Sequence, residues 1–315
     1  MWAMLIRREC DMIKSVQTGS ILDVHGIEKG FAMIAAAGFE GVDFNLDHLL
    51  SGRDIVNGKL MGFFDQTDAE MCEFIRPYKE AAESCGVSFA QAHAPFPSWV
   101  DNAATNAYVI HAIKKTIMLC DYVGCRNLVV HPAIIMGDPA REREENLKLY
   151  TALIPELKQY RVTCCLENMF SAYRGKLTEA VCSDPHEAAD YIDELNARAG
   201  ERVFGFCLDT GHATLLGKDL RRFIETLGDR LTVTHVHDNN GLDDEHLFPY
   251  MGITDWDRFC RALGETGYDG PLSFETFNAL NTFDTALAPQ LMSLLGATAD
   301  LLAGRIEGAR KGDMA

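Results

Sequence analysis

The chain has 315 residues, 47% of them hydrophobic, 10 cysteines and a formal charge of -17 at pH 7. This length suits one α/β barrel spanning residues 1–315, and the negative balance disfavours a generic nucleic-acid or anionic-membrane surface. The cysteines show no CxxC zinc spacing, MWAMLIRREC is too short for a secretory signal, and no segment approaches the roughly twenty apolar residues that span a bilayer, so a cytoplasmic protein with reduced thiols is expected.

A recurring unit organises the chain: an amphipathic helix, a glycine where it stops, then a short apolar strand ending in a polar residue. The first strand is expected within residues 3–17. AAAGFEGVDFN around Gly38, SCGVSFAQAH around Gly86 and VGCRNLVVH around Gly124 supply the next strands. RVTCCLEN, VFGFCLDT, LTVTHVHD and then ETGYDGPLSFE around Gly267 bring the total to eight. Glycine suits the left-handed position that ends a helix, and short apolar runs are what strands covered on both faces require. Helices are predicted at 27–38, 68–85, 103–123, 143–160, 185–199, 218–228, 255–266 and 284–303. In the third, Ile110, Ile113, Ile117 and Cys120 share one face, and Asp184, Pro185 and Glu187 mark the start of the fifth. Regular alternation, polar strand ends and no GxGxxG after a strand favour a closed (β/α)8 TIM barrel over an open doubly wound sheet.

Four of the polar strand ends are Glu167 in CCLEN, Asp209 in FCLDTGH, His235 in VTHVHD and Glu275 in LSFET. Side chains at the C-terminal ends of barrel strands converge on one mouth, so residues remote in sequence can share an ion. Three carboxylates and one imidazole suit a single divalent metal: manganese, magnesium, cobalt or zinc. A polar strand end taken alone equally serves to cap a helix or bind a loop; four in consecutive strands point to a metal.

More imidazoles surround the same mouth. His93 and His131 end the third and fourth strands, His212 follows Asp209, His237 shares a strand face with His235, and DDEHL carries Asp244 and His246. Each of these histidines is either a substrate contact, a further metal ligand or a support for one. His25, His111 and His186 fall in a loop or on predicted helices and receive no role.

The ordered series AAAGFEGVDF, HAPF, VVHP, CLEN, CLDTGHA, HVHDNNG, DEHLFP, DWDRF and SFET resembles the xylose isomerase-like barrel superfamily, in its sugar phosphate isomerase/epimerase branch. The resemblance implies that Glu167 and Glu275 bind the metal and exchange a proton, that Asp209 and His235 complete the coordination, and that His212 contacts substrate. It implies a metal-dependent isomerase or epimerase of a sugar or cyclitol, working beside a carbonyl through an enediolate. A homodimer is compatible with it.

Departures from the family pattern bear on the substrate. Where ketose 3-epimerases carry an arginine after the seventh strand, HVHDNNG offers Asn240 and Gly241, and FPYMG replaces a PG-containing turn. Arg126, Arg174 and Lys218 are the candidate anion contacts, and Phe96, Trp99, Phe170 and Tyr173 the candidate aromatic walls; Trp256 is read as a helix-start or interface residue. Inosose dehydratases and carbon-glycoside-cleaving enzymes use the same scaffold. So do apurinic-site endonucleases with three zinc ions, whose nine ligand types occur here in order as His93, His131, Glu167, Asp209, His212, His235, Asp244, His246 and Glu275. No basic, aromatic-interleaved surface for DNA is evident. A noncatalytic sugar-binding barrel is the third alternative, and the paired glutamates count against it.

Overall fold

The computed structural model describes residues 12–60 and 62–312. The opening MWAMLIRREC, and with it part of the 3–17 range expected to hold the first strand, lies outside the described residues.

Eight parallel strands form the barrel: β1 (Lys14–Gln17), β2 (Gly41–Asn45), β3 (Ser88–His93), β4 (Asn127–Val129), β5 (Thr163–Glu167), β8 (Phe204–Asp209), β9 (Leu231–His235) and β10 (Leu272–Phe274). The order runs β10-β1-β2-β3-β4-β5-β8-β9. Closure comes from a parallel bridge between Val236 and Phe274, with Val236 N donating to Ser273 O at 2.7 Å and Glu275 N to Val236 O at 3.1 Å. Every strand expected from the sequence is present. An antiparallel hairpin of β6 (Phe170–Tyr173) and β7 (Lys176–Glu179) stands on the mouth after β5.

The helices at Ile27–Ala36, Asp68–Cys85, Ala103–Val123, Pro185–Ala199, Leu220–Leu227 and Trp256–Glu265 match expectation within a few residues. The predicted helix at 143–160 is instead two, Pro139–Thr151 and Ile154–Tyr160. Pro155 has no N–H to reach the Thr151 carbonyl, so the ladder breaks there. The last helix, Ala288–Lys311, is long and apolar enough to cross a membrane by length and composition, an exception to the sequence expectation. It buries Met292, Leu295, Ala299, Leu302 and Ile306 in the core. Asp300 on it accepts from the buried Lys14 Nζ at 2.6 Å, tying it to the start of β1.

Two apolar layers result. The larger lies between strands and helices; a smaller plug of Val129, Cys165, Cys207 and Val233 fills the barrel interior beneath the mouth. The nine cysteines among the described residues are unpaired. Burial pushes the Cys207 thiol well above its ordinary value, so it forms a neutral floor.

Candidate metal centre

Parallel register delivers the polar strand ends to one level. Asp209 lies beside His235 on neighbouring strands, Glu167 beside Cys207, Asn45 beside His93, and Asp43 beside Gln91. Glu167, Asp209 and His235 are each at most 1% exposed, and Glu275 is 8% exposed. Burial at that level is expensive for a charge without a partner.

The buried hydrogen bonds fix which nitrogen of His235 faces the centre. Its Nε2 lies 3.1 Å from Asp43 Oδ2, an acceptor, so that nitrogen carries the hydrogen. Nδ1 then turns toward Glu167 Oε2 at 3.3 Å, Glu275 Oε2 at 3.6 Å and Asp209 Oδ2 at 3.9 Å. Both Glu167 oxygens and His235 Nδ1 are sealed from solvent without a hydrogen-bond partner. Carboxylates and a ring lone pair aimed at one another could hold a cation between them, and this donor set fits a hard or borderline divalent ion.

A second group of imidazoles and a carboxylate lies beside it. His212 Nδ1 lies 2.9 Å from the Asn168 carbonyl and His246 Nδ1 lies 3.0 Å from the Glu275 carbonyl, so both Nδ1 atoms carry hydrogen. Their Nε2 atoms face Asp244 Oδ2, at 3.6 Å and 3.0 Å respectively. On the other side His93, His131 and Glu167 form a third set, with His131 Nε2 3.2 Å from Glu167 Oε2. Glu167 therefore touches His131, His212 and His235.

In the ion-free state, protons take the place of the cation. Burial alone would depress these imidazoles, but the surrounding carboxylates override it: His93 and His246 rise to about 9, and His212 and His235 rise well above the ordinary histidine value. Burial alone would likewise raise the acids, yet His131 and His235 hold Glu167 well below the carboxylate range, and His93 and His235 do the same to Asp43. Asp209 is lowered by His212 and His237 against its burial, and Asp244 by His212 and His246.

Several supporting residues have no counterpart in the sequence reading. Asp43, fully buried, also accepts from Gln91 Nε2 at 3.0 Å and lies 3.2 Å from His93 Nδ1, so one carboxylate orients two imidazoles. Gln17, at the end of β1, donates to Glu275 Oε1 at 2.6 Å and leaves Oε2 for the centre. Asn168 clamps the Asp209 backbone with bonds of 2.9 and 2.8 Å. Asp209 itself caps the helix Thr210–Leu215 through Oδ1, 2.6 Å from His212 N, while His237 Nε2 donates to Oδ2 at 2.9 Å. A Cβ on Gly211 would overlap the His237 ring, so glycine there lets the imidazole lie against the backbone.

Asp238 holds the loop that carries Asp244 and His246. Its Oδ2 accepts from Tyr250 N, Gly252 N and Trp256 Nε1, each at 3.0 Å, and its Oδ1 from Asn239 N and Thr254 N. Trp256 begins the helix Trp256–Glu265, and its indole serves as one of these donors.

Above the cluster opens a cavity of about 680 Å³. Glu167, Glu275, His131, His212, Asp244 and His246 line it, whereas His93, His237, Asp209 and His235 lie behind this lining. Phe96, Phe170 and Phe277 supply apolar walls and lie against His131, His212 and His246, with ring centroids 4.7, 5.0 and 4.2 Å apart. Trp99 and Tyr173 are not in the lining: Trp99 lies under Arg141, and Tyr173 is exposed on the hairpin. The candidate anion contacts are committed elsewhere. Arg126 bonds Asp121 and the Tyr160 carbonyl before β4, Lys218 pairs with Glu179, and Arg174 lies over the Tyr173 ring.

Comparison with known proteins agrees with this architecture. A 28% identity over 259 residues relates the chain to the uncharacterized protein y4fM of Sinorhizobium fredii, covering 80% of this chain and 81% of that one. The ketose 3-epimerase of Arthrobacter globiformis is 30% identical over 127 residues, 40% of this chain and 39% of that one. Among solved structures, a D-tagatose 3-epimerase-like protein superposes with a TM-score of 0.67 at 21% identity, covering 96% of this chain and all of the other. The family described as Xylose isomerase-like TIM barrel matches residues 31–295, and the chain, with its eight-stranded parallel barrel, belongs to it.

Proposed function

We propose that the protein is a divalent-metal-dependent isomerase or epimerase of a sugar or cyclitol, moving a proton at the carbon beside a carbonyl. The observation that carries this reading is the placement of Glu167 and Glu275. Both line the cavity, both approach His235 Nδ1, and they come from β5 and β10, three strands apart around the ring. Glu167, Asp209, His235 and Glu275 would hold the ion. When bound, the ion supplies Lewis-acid polarisation of the carbonyl and its neighbouring oxygen.

The remaining work falls to the chain. Glu167, which lines the cavity, is the acceptor for the carbon-bound proton. For epimerisation Glu275, anchored by Gln17, would enter the cycle protonated and give that proton to the opposite face of the enediolate while Glu167 keeps the one it removed; for isomerisation Glu167 would return its own proton to the neighbouring carbon. His212, with its Nε2 toward the cavity side, lies within reach of a substrate hydroxyl. The relation to a ketose 3-epimerase supports this reaction class.

Incubation with candidate ketoses and inososes in D2O tests the reading directly. Glu167→Gln and Glu275→Gln, assayed at saturating metal with bound metal quantified, should each lower exchange of the carbon-bound hydrogen by about 10²- to 10⁴-fold. Unchanged exchange in either variant refutes its acid/base role.

One observation favours a second reading: the His93, His131, Glu167 set and the His212, Asp244, His246 set flank the four-residue centre, as a trinuclear zinc hydrolase acting on an abasic phosphodiester requires. Metal content per chain separates the two. One ion per chain accords with the isomerase or epimerase, and three zincs with cleavage of an abasic duplex would replace it.

A further inference from the structure

Beside the mouth lies a second, smaller cavity of about 70 Å³, several times the roughly 10 to 15 Å³ that one water needs. The helices Gly19–His25 and Ile27–Ala36 and the segment after β10 enclose it. Ile21 and Met292 in its lining are buried, Met33 and Leu280 half-buried, and Val24 and Phe283 exposed. In a chain of net charge -17, none of the described residues that line this cavity is acidic, and none is a lysine or arginine. Ser20, Val24 and Asn281 line both this cavity and the mouth, so the two share a wall. Asn281 Nδ2 donates to Ser20 Oγ at 3.2 Å along that wall. Val24 and Asn281 are exposed, so the wall is a ridge at the surface that one ligand can lie across. The short helix Phe277–Asn281 presents Phe277 to the mouth and Leu280 to the side cavity.

Resting on the reading of the mouth as a sugar or cyclitol site, we propose that the side cavity is a subsite for a neutral apolar substituent of the substrate. The substituent is a short alkyl or aryl group linked through oxygen and held across the Ser20–Asn281 ridge. The two cavities divide the chemistry between them. The mouth carries carboxylates and imidazoles, which suit hydroxyls and a carbonyl; the side cavity offers a charged group no lysine or arginine to replace its lost hydration. An alkyl or aryl group gains by leaving water there, and Met33 and Met292 are unbranched side chains that adapt to an irregular shape. The ridge serves the linkage, because the Asn281 amide and the Ser20 hydroxyl are both able to donate to the linking oxygen. A carbonyl has to stay free for proton transfer, so the substituent cannot sit on the carbonyl carbon. A glycoside with its ketone elsewhere on the ring, or an ether of a cyclitol ketone, meets that requirement.

The test uses the full chain loaded with its metal. Hydrogen exchange in D2O and calorimetric binding are measured for the methyl, ethyl and propyl glycosides of a 3-keto-hexopyranose. The expected result is a rise in kcat/KM and in affinity of about two- to fourfold for each added methylene. Ala288→Phe fills the side cavity from a half-buried position and should bring the propyl-to-methyl ratio to within about twofold of one. Phe283→Ala, at an exposed position where truncation leaves the core untouched, should lower the same ratio. The chain-length series on the unaltered protein needs no variant to fold. Exchange that is flat or falls with chain length overturns the inference while leaving the proton-transfer reading standing, and so does a gain that survives Ala288→Phe. If no member of the series exchanges, the proton-transfer reading fails for these compounds and calorimetry decides the subsite. Affinity that rises with chain length and is lost in Ala288→Phe upholds it, and affinity without that rise overturns it too.

Discussion

Asp43, fully buried behind His235 and His93, is the residue on which the orientation of both imidazoles depends. Replacement by asparagine keeps the shape and leaves an amide oxygen able to accept at the Oδ2 position. It removes the full negative charge toward which His235 Nε2–H, His93 and Gln91 converge, at 3.1, 3.2 and 3.0 Å. A carboxylate behind a ligating imidazole fixes its tautomer and raises its basicity, and loss of such a partner typically costs about 10- to 100-fold in metal affinity, or about 1.4 to 2.8 kcal/mol. Asp43 supports two imidazoles, so Asp43→Asn should fall toward the upper end. Competition against a chromophoric chelator at fixed pH measures it, with circular dichroism checking the fold. Affinity within about twofold of the parent would show that Asp43 does not orient the ligand set, and the tautomer assigned to His235 would fall with it.

Other outcomes follow from the same geometry. His93 and His246 have folded-state values of about 9, above an unfolded value of about 6.5. Their contribution to the stability of the metal-free protein is therefore complete below about pH 6.5 and lost as pH rises through about 9, and thermal unfolding should show this decline. Metal held by the proposed set displaces the proton that His235 otherwise carries, its value raised well above the ordinary one, so metal affinity should increase with pH; affinity flat in pH refutes the proton-for-cation exchange. Gly211→Ala pushes the His237 ring from its place beside Asp209 and should weaken metal binding by about tenfold or more, read by the same chelator assay. Asp238→Asn turns a buried acceptor into a donor facing N–H groups. It should cost about 2 to 5 kcal/mol in chemical denaturation and speed amide exchange across residues 239–256.

The barrel was legible because each strand is short, apolar on both faces and closed by a polar residue, a pattern that depends only on local sequence. Glu167, Asp209, His235 and Glu275 emerged from it as strand ends, and the structure brings their side chains together. Asp43 did not emerge, since it sits inside GVDFN and its partner His235 is 192 residues away. Gln17 was hidden in a stretch whose boundary carried no signal. The β6–β7 hairpin turns through Arg174 and Gly175, both with positive φ, and arginine is an uncommon choice for such a turn, so no Asn-Gly signal announced it. The break between 151 and 154 could have been read from Pro155 and was masked by the helical spacing on either side.

Asp238 also bears on how this scaffold can change. Both feet of the loop from 239 to 256 are tied down, by that one carboxylate and by the paired backbone bonds between Asp238 and Leu247. Its tip around Leu242 points into solvent, 72% exposed. Residues inserted at the tip extend outward without pulling on Asp244 or His246, so the reach of the mouth toward larger substrates can be altered in evolution or by design while the ion-binding geometry below is inherited intact.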